Sequence, residues 1–297
     1  MTSSEIIDPA FGAFVMGNAP LEKLATGFDW VEGLVWFGDA GCLLFSDIPN
    51  NRILRWTPGG GISTCRDPSN FSNGHAHDRE GRLLSCKHRL RRVTRTEHDG
   101  QITVIACEYQ GKPFNSPNDV VVKSASSTWF TDPHCGNLTD YEAHKSAQEL
   151  PYTVYWVDPS GAVSVVADDF QSPNGLAFLP DETRLYIADT GRMFYADPQH
   201  IRAFDVVDNQ LTGGGVFHTI SPGCADGIRT DTDGNLWSLA ADGVHCIAPD
   251  GHVMGKILVP EAVLNICFGG RGKHQLFIAA TASLYSIALN RNGAQTP

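Results

Sequence analysis

The chain has 297 residues, 42% hydrophobic and 19% charged, enough to bury a large core. Lys and Arg number 22 against 33 Asp and Glu, a formal net charge of −11 and the wrong balance for binding nucleic acid or an anionic membrane. No run of about 18 uncharged apolar residues occurs, which excludes a membrane-spanning helix.

In chain order, residues 1–20 lack the basic start and long apolar stretch of a secretory signal, and read as an N-terminal extension. Residues 21–26 (LEKLAT) have the look of a lone strand. From Val31 onward one phrase recurs, a polar residue opening an apolar strand. It reads VEGLVWF, then SNGHAH from Ser72, PNDVVV from Pro117, PNGLAF from Pro173, ADGIRTD from Ala225 and LNICFGG from Leu264. The polar residues Glu32, Asn73, Asn118, Asn174, Asp226 and Asn265 are 41, 45, 56, 52 and 39 residues apart, the length of a four-stranded propeller blade.

Each phrase is followed by a second strand (GCLLFSD, GRLLSC, STWFTD, TRLYIAD, GNLWSLA, HQLFIAA) and a third, most ending in an Asp/Asn/Gly turn. Fourth strands follow in five units; the sixth runs out near Asn290. Residues 21–26 lie six before Glu32, the spacing that Asp67 and Asp168 have to Asn73 and Asn174. The expectation is therefore an all-β, six-bladed β-propeller, one domain over residues 1–297. In it residues 21–26 pair with 283–289 and close the ring, leaving no unpaired edge.

In such a ring the first strands lie innermost, and their openings meet at one mouth of the central channel. An isolated Asn-Gly is commonly a turn; six polar openings in one register are not explained that way. Glu32, Asn118, Asn174 and Asp226 would bring two carboxylates and two amide oxygens together, a donor set for a hard divalent cation. Calcium is foremost, with manganese, magnesium or zinc as alternatives; zinc is disfavoured because neither Cys nor His recurs at these openings. Asn73 and Asn265 are expected as supports.

The loops between second and third strands should ring the same mouth. They carry Asp47, His88 to Arg92, Asp132 with His134, and Asp189 through Tyr195. His88, Arg92, Asp132 and His134 are candidates for holding substrate, with Asn118. The loop from Asp132 to Pro151 is long enough to be a lid. His75 and His77 alternate on one strand and suit packing between blades. The eight cysteines form no CxxC pair, so free thiols in a cytoplasmic protein are expected. Neither a GxSxG elbow nor a glycine-rich phosphate loop is present, which argues against a serine esterase or nucleotide enzyme.

Several of these phrases in order, namely EGLVWF at Glu32, RLLSCKHRLRRVTRTEHDG from Arg82, NSPNDVVV from Asn115, TWFTDP from Thr128, PNGLAF and DGIRTD, resemble the SMP-30/gluconolactonase/regucalcin-like family over nearly the whole chain. The resemblance implies a six-bladed propeller that hydrolyses a small sugar lactone with a divalent metal, gluconolactonase being the leading expectation. By the same resemblance Glu32, Asn174 and Asp226 are the metal ligands, Asn118 a fourth contact to metal or substrate, and Asp226 the general base. The chain departs from the family after TDP, where His134 and Cys135 replace an aromatic residue. An organophosphate-type hydrolase and a metal-binding propeller without turnover are the alternatives. The expected partner is a small-molecule lactone, with no nucleic acid, membrane or obligate protein partner.

Overall fold

A computed structural model describes residues 3–191 and 199–295. Nearly all of the regular structure is strand, arranged as six antiparallel sheets around a common axis. Their innermost strands are Val31–Phe37, Ser72–His77, Val120–Val122, Pro173–Phe178, Ile228–Thr230 and Val263–Gly269. Each sheet then runs outward in sequence order, because turns of two to five residues at most junctions let each strand pair with its predecessor. The innermost strands are short, apolar and almost wholly buried, whereas the outermost, such as Gly61–Arg66, face solvent.

The sixth sheet is completed from the other end of the chain. Glu22–Thr26 pairs antiparallel with Ser283–Ala288, with Glu22 opposite Ser286 and Thr26 opposite Ser283. This is the expected closure. Ser4–Ile6 goes further and adds a fifth strand to the outer edge of the fifth blade, against Val253–Leu258. Phe11, on the short helical turn that follows, is fully buried against Trp237, so this N-terminal segment is part of the core.

Apolar side chains fill the wedges between blades. Trp129 and Trp237 are fully buried, and Trp36 stacks on Phe277 at 5.3 Å where the first and last blades meet. His75 bridges blades one and two, with Nε2 2.8 Å from Ser46 Oγ and Nδ1 2.9 Å from Ser85 Oγ. Burial holds its ring neutral, with a pKa of about 3. All eight cysteines are free. Among the described residues no helix is long and apolar enough to cross a membrane.

Candidate active site

The site begins with an irregularity repeated in the innermost strands. The pairing of first and second strands slips between Glu32 and Val35, Ser72 and His75, Pro173 and Leu176, and Val263 and Asn265. A bulge adds a residue on one strand and re-aims its side chains. Glu32, Asn73, Asn174 and Asn265 all lie in these bulges, while Asn118 and Asp226 sit two residues before their strands, Asn118 held there by its N–H on Thr131 O at 2.9 Å. The glycine after the polar residue permits the assembly. A methyl on Gly74 would strike Asn118 and Asp119 of the next blade, and one on Gly175 would strike the carbonyl of Asp226. Asn-Gly here is a close-approach motif between neighbouring innermost strands, not a turn.

Glu32 and Asp226 are thereby buried within electrostatic reach of one another. Glu32 Oε2 accepts from Gly33 N at 3.2 Å and Asn265 Nδ2 at 2.9 Å, while Asn265 Oδ1 accepts from Leu34 N at 3.3 Å. Burial first, then the charge of Asp226, pushes the Glu32 carboxyl well above its usual range. Asp226 is likewise pushed up by burial, then by Glu142 and Asp119, against a hydrogen bond from Asn174. Among the described residues the charges that chiefly bear on these two groups are carboxylates. Arg229 compensates only in part: its Nη1 is 3.3 Å from Asp119 Oδ2. Asn118 Nδ2 faces Cys135 Sγ at 3.5 Å, and that thiol is pushed up by burial and the charges of Glu142 and Asp226.

The segment after Asp132 folds over this mouth. A helical turn at Cys135–Asn137 starts it, and Ser146 ties it back, N to Asn137 O at 3.1 Å and O to His134 Nε2 at 2.8 Å. From blade three it reaches blade two, where His144 meets Phe71 at 6.0 Å. It also reaches blade one, where Tyr141 sits edge-on to Trp30 at 6.5 Å. The loop is thus laid across the mouth. Beneath it Glu142 Oε2 lies 3.5 Å from Nδ1 of His88, whose Nε2 is 3.3 Å from Asn73 Nδ2. Burial keeps His88 neutral, with a pKa of about 4, and raises Glu142 to about 7.

The remaining expected site residues have local duties. Asp132 is fully buried, its Oδ2 accepting from Asn115 N at 2.8 Å; Asp47 and Asp189 hold the backbone ahead of their own first strands in the same way. Asp132 is therefore a repeated brace that ends each of these second strands. Burial raises it to about 8 against those hydrogen bonds. Arg92 Nε donates to Leu90 O at 3.0 Å within its own exposed turn, and His134 is spent on Ser146. Part of the loop from Asp189 through Tyr195 lies outside the described residues. Sequence reasoning missed Glu142, Asp119 and Cys135. Asp119 had a visible signal, standing where four of the other phrases carry glycine; Glu142, in an aperiodic loop, had none.

Among the described residues no three of His, Cys, Asp and Glu gather at metal-binding spacing. What the mouth offers is two buried carboxylates flanked by amides, hard oxygen donors with surplus negative charge. That donor set fits a hard divalent cation.

Comparison with known proteins agrees with this architecture. A gluconolactonase from Zymomonas mobilis is 31% identical, over 94% of this chain and 84% of that protein. A pentonolactonase from Haloferax volcanii is 27% identical over 83% and 80%. The solved structure of a gluconolactonase from Xanthomonas campestris superposes with a TM-score of 0.90 at 34% identity, covering 96% of this chain and 94% of that one. The pattern of the SMP-30/Gluconolactonase/LRE-like region matches residues 30–282, and with that extent the chain belongs to this family.

Proposed function

We propose that the chain hydrolyses a small sugar lactone at the acidic mouth, with a divalent cation, calcium foremost, held by Glu32, Asn174 and Asp226 and contacted by Asn118. The observation that carries this is the burial of Glu32 and Asp226 within electrostatic reach of one another and of other carboxylates. Such an arrangement is costly unless the carboxylates are protonated or share a cation. The lactonases among the relatives support the choice of substrate. Bound there, a hard cation supplies positive charge that polarises a carbonyl.

The chain's own groups do the rest. Asn118 and the loop over the mouth orient the ring and limit access of bulk water. Asp226 takes a proton from the attacking water as its oxygen bonds to the carbonyl carbon. As the bond from that carbon to the ring oxygen breaks, the proton passes to the ring oxygen, and one water has been added in total. His88 and Asn73 form a neutral pair behind Glu142 and fix its place at the mouth. Eight free thiols support a reducing, cytoplasmic setting.

The test is opening of glucono-1,5-lactone above its spontaneous rate, before and after chelation and after re-addition of calcium, manganese, magnesium or zinc. Metal-restored turnover is expected. Cation binding without turnover on any sugar lactone would leave a non-catalytic propeller, and turnover of organophosphate esters alone would reassign the chemistry.

A further inference from the structure

At the other end of the channel from the acidic mouth the innermost strands enclose a second space, of about 90 Å³. It lies where these strands finish, and His77, Val122, Phe178 and Thr230, each the last residue of its strand, line it. The wall is about equally polar and apolar, and the volume is about three waters' worth.

Arg229 also lines this space and is 1% exposed. Its Nη1 donates to Ile228 O at 2.7 Å and lies 3.3 Å from Asp119. Among the described residues its Nε and Nη2 have no hydrogen-bond partner, and neither has Nδ1 of His77. Buried donors left unmatched are costly, and a guanidinium more so than an amide. The free edge has a specific shape. Nε–H and Nη2–H of a guanidinium point the same way in one plane, matching the two oxygens of a carboxylate. Among the described residues the charges around the space include the cations Arg229, Arg79 and Lys273 and the carboxylates Asp119, Glu182 and Asp78. Arg79 is paired with Glu182 at 2.9 Å, and Lys273 is close enough to His77 to lower its pKa.

We propose that this distal cavity binds a small carboxylate of formate or acetate size, held bidentately by Nε and Nη2 of Arg229 with His77 Nδ1 beside it. The site is separate from the acidic mouth and does not depend on the lactonase reading. Ala294, half-buried on the C-terminal segment, lines the cavity and is tied by its N–H to Thr230 O at 3.0 Å.

The test is calorimetric titration of the 297-residue chain with sodium acetate at constant ionic strength, chloride being the balancing salt, with diffraction from acetate-grown crystals. One saturable acetate per chain is expected, seated on the free edge of Arg229. Arg229→Lys keeps the charge but loses the fork and should weaken binding about tenfold. Ala294→Phe should weaken it comparably by filling the cavity while leaving Arg229 intact, and it decides the matter if Arg229→Lys does not fold. Ordered water alone on the guanidinium edge would overturn the proposal. So would acetate binding that both variants leave unchanged, or chloride binding as tightly as acetate.

Discussion

Asp226 and Glu32 are held where burial and neighbouring carboxylates raise both pKa values, so that a proton or cation must offset their charge. Asp226→Asn and Glu32→Gln keep shape and hydrogen-bonding capacity while removing charge. Each should lower kcat for lactone opening by about 10²- to 10⁴-fold with the circular dichroism spectrum unchanged; activity near that of the parent would exclude these residues from the chemistry. A different buried group tests the core. Lys87 is 4% exposed, with its Nζ on Ser72 Oγ at 3.1 Å, and burial, then Arg66, lowers its pKa to about 7. Between about pH 7 and 10 the unfolded chain holds a proton that the folded one has shed, so stability rises with pH across that window. Lys87→Met should therefore raise the melting temperature most at pH 6 and hardly at all above pH 10. The proposed ligands were legible in the sequence because the same strand opening recurs at blade length. Glu142 was not, because a loop residue reaches the mouth through tertiary contacts that leave no period.

The loop after Asp132 lies across the mouth. Its length was visible in the sequence, and its contacts with Phe71 and Trp30 explain its placement across two blades. The duties of Asp132 and His134 were not legible: both are polar residues near the mouth, and only the fold shows one bracing Asn115 and the other closing the loop on itself. Tyr141 is half-exposed, so Tyr141→Ala should loosen the loop without disturbing the core. Losing one aromatic contact of about 1 kcal/mol should raise KM about fivefold with little change in kcat, measured by steady-state hydrolysis. An unchanged KM would show that the loop does not close on substrate.

For the whole molecule, stability depends on joining the two ends of the chain. At that seam Glu261 accepts from Lys23 Nζ at 2.9 Å, Ser283 Oγ at 2.8 Å and Tyr285 Oη at 2.6 Å. Partial burial works against its charge, but these bonds win and hold its pKa at about 2. The seam's contribution is thus complete above about pH 4.5 and lost as pH falls through about 2. Because the pair is partly exposed, Glu261→Gln should cost only about 1 kcal/mol at pH 7, with the two urea midpoints converging near pH 2. Closure by residues 22–26 was readable from spacing; the fifth strand added by Ser4–Ile6 was not, since three residues carry no alternation to read.

The ring gathers its buried acids at one end, and the proposed function places a cation among them. Calorimetric titration of the metal-stripped chain with calcium addresses that most directly. One ion should bind per chain with release of protons, since carboxylates raised by burial must ionise to take it, and binding should vanish in the Glu32→Gln, Asp226→Asn double variant. No saturable binding by the parent, or equal binding by the double variant, would contradict it.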